Sequence, residues 1–127
     1  MAKELARTIY ARSEEFPKSE TFGLRMRLRR SAVNVASHIA EAHGRLNDTE
    51  IRKGLGSARA AINEFQTQTE LAASLGFFDE VASTELLDLG TRVAKLINGL
   101  QGVLKPSSEP ASSPRDERQP AKENTNR

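Results

Sequence analysis

The chain has 127 residues, with 19 Lys plus Arg against 17 Asp plus Glu for a net charge of +2, and it contains neither cysteine nor tryptophan. That length holds one domain. The lack of cysteine excludes disulfides, thiolate nucleophiles and cysteine-type zinc sites, and so small a net charge does not by itself mark a nucleic-acid binder.

The charge is unevenly spread, however. Residues 1–46 carry nine basic and five acidic side chains, residues 47–106 six and eight, and residues 107–127 four of each. Aromatic residues make up 5%, so the core must come from Leu, Ile, Val and Ala, a composition suited to helices packed on helices. No apolar run approaches the ~20 residues of a membrane span, and no signal-peptide core precedes the first helix. A cytoplasmic protein that does not enter membranes is the expectation.

Residues 3–15 read as a short first helix with Leu5, Ile9 and Phe16 near one side, closed by Pro17. The second helix is expected from about Glu20, with Ser19 as N-cap, to His43, with Gly44 as its stop. Asn47 or Asp48 caps the third helix, which ends at Leu75-Gly76. Its apolar positions Ile51, Leu55, Ala58, Ile62, Phe65, Thr69 and Ala72 alternate spacings of 4 and 3, the seam of a bundle helix with one threonine as its flaw. Asp79 caps the fourth helix, whose seam is Ala82, Leu86, Leu89, Val93, Leu96, Leu100 and Val103, widened by Ile97 and Leu104. No strand-like alternation of useful length appears, and short connections make neighbouring helices antiparallel. The expected fold is all-α: an up-down-up-down antiparallel four-helix bundle over residues 1–105. A disordered tail rich in Pro, Ser and charge is expected at 106–127.

The second helix is too apolar for one seam. Phe22, Met26, Val33, Ala36 and Ala40 form one stripe, and Leu24, Leu28, Ala32, Val35 and Ile39 form another. No helix is central in a four-helix bundle, so the surplus stripe points to a second subunit and a homo-oligomer. Between the stripes runs a polar line at Arg30, Asn34, Ser37, His38 and Glu41, with Glu64 of the third helix as a candidate partner. Covered polar groups need partners. An interhelix or intersubunit network is the favoured reading, with a ligand site and a solvated face as the alternatives.

The same helix opens on Arg25, Arg27, Arg29 and Arg30, four arginines in six residues. Either they solvate the N-terminal half, their stems covering apolar surface, or they contact phosphates together with Lys18, Arg45, Arg52 and Lys53. A membrane-surface role lacks bulky exposed anchors. Without interleaved aromatics to stack bases, nucleic-acid contacts would go to the backbone with weak sequence preference. Repetition around an oligomer would multiply a modest patch.

No catalytic site, metal site or cofactor emerges from the spacing. A di-iron bundle needs Glu-x-x-His on two helices, whereas His38 and Glu41 stand once and in reverse order. Adjacent helical residues point about 100° apart, which separates Ser37 from His38 and argues against a Ser-His-Glu triad. The stretches Gly54–Ser57 and Gly99–Gly102 lack the Gly-Lys-Ser/Thr ending of a phosphate loop and read as places of close helix approach.

Phe16-Pro17-Lys18-Ser19-Glu20, Leu24, Arg29-Arg30-Ser31-Ala32 and His38-Ile39-Ala40-Glu41-Ala42 form a recognisable series. It continues through Glu50, Leu55, Glu64 with Thr67-Gln68, Leu75-Gly76-Phe77 and Leu96-Ile97-Asn98-Gly99-Leu100. The series resembles the bacterial four-helix-bundle family associated with 23S rRNA intervening sequences, once labelled a ribosomal protein. That family is related to the accessory variability determinants of diversity-generating retroelements. The resemblance spans about residues 4–105, with His38 where the family has Asn, Ala42 where it has Gly and Ala60-Ala61 where it has Gly-Ser. It implies a non-enzymatic, cytoplasmic protein assembling into rings, as pentamers. RNA is the preferred anionic partner over DNA, and a reverse transcriptase is a partner if the chain belongs to the retroelement branch. The rival expectation is a protein-interaction scaffold with no nucleic-acid role.

Overall fold

A computed structural model describes residues 1–45 and 47–104. It contains four helices, α1 (Ala2–Arg12), α2 (Leu24–His43), α3 (Asp48–Ser74) and α4 (Glu80–Val103), with 3-10 turns at Ser13–Glu15 and Lys18–Glu20. No strand occurs among the described residues. α1 packs on α2 and α4, and α3 packs on the same two helices, so the four stand at the corners of a square in chain order. The all-α bundle is the one the periodicity predicts. The tail expected at 106–127 lies outside the described residues.

Local chemistry sets most helix ends. Asn47 Oδ1 accepts the Glu50 N–H at 2.9 Å, and Asp79 Oδ1 accepts the Ala82 N–H at 2.8 Å, each satisfying a donor that the first turn leaves unpaired. α3 closes on Gly76 at φ +81. The Phe77 N–H reaches Ala72 O at 2.9 Å and the Gly76 N–H reaches Ala73 O at 3.0 Å, the double bond of a Schellman motif. The start of α2 differs from expectation. Pro17 begins a 3-10 turn, so the chain enters the α-helix only at Leu24, and Ser19 caps nothing. The longer Glu20 side chain does so instead, its Oε1 accepting the Leu24 N–H at 2.8 Å. A carboxylate also suits the positive end of the helix dipole.

The α3 seam is buried from Leu55 through Ala72, with Ile51 half-buried at its start. Thr69 is fully buried, and its hydroxyl donates to Phe65 O at 2.8 Å, so the polar flaw is satisfied within its own helix. On α4 the seam holds as far as Val93 and then moves to Ile97, while Leu96 is 40% and Val103 79% exposed. A strict seven-residue repeat drifts by ~20° per heptad on a straight helix. α1, with 11 residues, is too short to face the far end of the 24-residue α4 and correct that drift. On α2 the stripe of Leu24, Leu28, Ala32 and Val35 lies in the core. The other stripe faces outward, with Phe22 83% and Val33 41% exposed.

Of the small residues read as points of close approach, only Gly54 is one. A Cβ on Gly54 would lie 3.0 Å from Ala42 Cβ and 3.2 Å from Ala42 Cα, whereas nothing lies within 4 Å of one on Gly99 or Gly102. Gly54→Val should therefore destabilise the fold by about 1–3 kcal/mol, because α2 would have to move aside. Gly56→Ala, with only the Gln101 amide nitrogen at 3.8 Å, should stabilise it by about 0.5–1 kcal/mol through helix propensity. Urea unfolding of the two variants tests the contrast; a neutral Gly54→Val would mean that the α2–α3 contact is not tight.

Candidate nucleic-acid interface

At 100° per residue, the buried stripe of α2 leaves Met26, Val33 and Ala40 on the outward face. Arg25 and Arg29 then fall on the flank that meets α1, and their guanidiniums are largely engaged there. Arg29 Nε donates to Ser13 Oγ at 2.8 Å, and its Nη2 donates to Tyr10 O at 3.0 Å and Glu14 Oε2 at 3.2 Å. The Tyr10 ring lies below the same guanidinium, 4.5 Å from centroid to carbon. Arg25 Nη2 stands 3.4 Å from the same Glu14 oxygen, while its Nε is buried without a hydrogen-bond partner. These two arginines fasten the end of α1 to α2.

Arg27, Arg30 and Lys18 are exposed and make no ion pair among the described residues. Arg30 and Asn34 border an open groove of about 420 Å³, whose other walls include Tyr10, Met26, Arg29 and Val33. The remaining candidate cations lie elsewhere. Arg45 and Lys53 share the Glu50 carboxylate at 3.5 and 3.6 Å, past the opposite end of α2. Arg52 turns to α4, where its Nη1 donates to Gln101 O at 2.9 Å.

Within one chain the polar line Arg30, Asn34, Ser37, His38 and Glu41 is solvent-accessible or half-buried. Its one internal contact places His38 Nδ1 3.2 Å from Glu41 Oε1. Glu64 is not joined to it directly. The chain that ties α3 to α2 runs from buried Ser31, whose Oγ donates to Gln68 Oε1 at 2.8 Å, and on through Gln68 Nε2 to Glu64 Oε2 at 3.4 Å. Sequence reasoning missed Ser31, although Leu24, Leu28, Ser31 and Val35 follow the 4, 3, 4 spacing of a core position. It also missed Tyr10, the aromatic that α1 supplies to the arginine groove and that no inspection of helix 2 alone could reveal.

No described helix is long and apolar enough to cross a membrane. No curated protein matches the chain. The family described as 23S rRNA-intervening sequence protein matches residues 1–99, which takes in all four helices except the last turn of α4. The chain belongs to that family.

Proposed function

We propose that this member of the 23S rRNA-intervening sequence family is a cytoplasmic, non-enzymatic homo-oligomer, a pentameric ring, that holds RNA on the arginine-rich half of α2. One observation carries the reading. The outward side of α2 and of the turn before it combines exposed Phe22 and Val33, with half-buried Met26 between them, and the flanking guanidiniums of Arg27 and Arg30, which make no ion pair among the described residues. A contiguous exposed stripe is the usual mark of an interaction surface, and unneutralised arginines retain their charge for phosphate. A second reading, a protein-interaction scaffold, draws support from the engagement of Arg25 and Arg29 by Glu14 and Tyr10.

Size-exclusion chromatography with light scattering, read at 260 and 280 nm, separates the two. With one tyrosine and no tryptophan the protein absorbs little, so comigrating RNA stands out. The expected result is an oligomer that carries RNA at low salt and releases it at high salt; an oligomer that never carries RNA leaves the scaffold. Val33→Glu, which puts a charge on the apolar stripe, should shift the mass toward the monomer. An unchanged mass would place the subunit contact somewhere other than this face.

A further inference from the structure

We infer that the groove between α3 and α4 is a second phosphate-binding surface, which takes the backbone of a single RNA strand. The inference rests on the RNA reading above. Arg52 and Arg59 stand two helical turns apart on α3, about 10 Å along its axis, and line an open groove of about 550 Å³ with Asn63, Asn98 and Gln101. No carboxylate lines it. Arg59 Nη1 donates to Gln101 Oε1 at 3.1 Å and Asn98 Oδ1 at 3.5 Å. Gln101 is itself fixed, its Nε2 donating to Arg52 O at 3.2 Å while its own carbonyl accepts from Arg52 Nη1 at 2.9 Å.

These partners orient the guanidiniums without cancelling their charge. Arg12, Arg25, Arg29 and Arg45, by contrast, each have a glutamate within ion-pair distance. A guanidinium held by neutral acceptors keeps donors and full charge for a phosphate. The valley between two packed helices, whose axes lie about 8–10 Å apart, admits one strand rather than a duplex. Its amides offer both donors and acceptors to ribose hydroxyls. With no aromatic in the lining, the groove should read phosphate and sugar and tolerate any base sequence. In the cyclic order of the bundle it lies on the side away from the α1–α2 groove. Copies joined through the outward stripe of α2 would therefore leave it open.

The test is the salt dependence of binding to a short fluorescein-labelled oligouridylate, for wild-type protein, Arg59→Gln and Arg52→Gln/Arg59→Gln, each checked for helicity and oligomer mass. Removing one arginine–phosphate pairing to a single strand should lower the log–log slope by about 0.7, which is about 5-fold in affinity near 0.1 M salt and about 25-fold for the double variant. If the double variant unfolds, Arg59→Gln decides alone, since Arg59 is exposed. Wild-type binding with an unchanged slope in Arg59→Gln overturns the groove and leaves the RNA reading standing. Absence of salt-dependent binding in the wild type overturns both. Equal competition by a duplex of the same length overturns the assignment to a single strand.

Discussion

Phe65→Ala is expected to lower the free energy of unfolding by about 3–5 kcal/mol, the range for emptying a buried aromatic site. Phe65 has no exposed surface and is the largest of the fully buried side chains. Phe16 packs against Phe77 at 5.3 Å and Phe78 at 4.8 Å, closing one end of the bundle, and Phe22 faces solvent. Phe65 is thus the aromatic of the middle layers, bracketed on its own helix by Ala58, Ala61 and Ala72, which are too small to fall into the space it would vacate. The cavity should persist, and its cost adds to the forfeited transfer energy. Against a total stability of about 5–15 kcal/mol the variant should be close to unfolding at physiological temperature. Urea unfolding followed at 222 nm measures the loss, at two protein concentrations because the proposed subunit association would add to apparent stability. A change below about 1 kcal/mol would mean that the middle of the core collapses freely around the gap.

The features legible in the sequence are those that local chemistry decides. Asn47, Asp79 and Gly76 act within a few residues of themselves, and all three end helices as expected. The α3 seam is legible along its length because α3 packs against α2 on one side and α4 on the other. The α4 seam fails where α1 no longer reaches, since periodicity shows which face is apolar but not what stands opposite it. Ser19 and Glu20 compete for the cap of α2, and the Pro17 turn settles it by setting the helix start four residues further on. The surplus stripe of α2 is readable as surplus. The use of its arginines is not, because Glu14 lies 11 and 15 residues from its two partners across a turn. Arg59 and Gln101, 42 residues apart on different helices, leave no mark in either local pattern.

Replacing Lys18, Arg27 and Arg30 together by Glu should weaken RNA binding by at least about 100-fold near 0.1 M salt. Each phosphate contact on a single strand is worth about 5-fold there, so three multiply to roughly that factor, and reversed charges add repulsion. These three are the right positions because they are exposed and make no ion pair among the described residues, so each replacement should change stability by no more than about 0.5 kcal/mol. Arg25 and Arg29 are unsuitable, since their removal would loosen α1 from α2. Their contribution is reached from the other side through Glu14→Gln. The Glu14 carboxylate, itself mostly exposed, competes with phosphate for the same donors, so its neutralisation should tighten RNA binding a few-fold while changing stability by less than about 1 kcal/mol. Light scattering on both variants separates direct contact from assembly: weaker binding at unchanged oligomer mass assigns the arginines to RNA. If neither variant moves RNA affinity while the oligomer persists, the arginines only solvate α2, and the surface serves a protein partner.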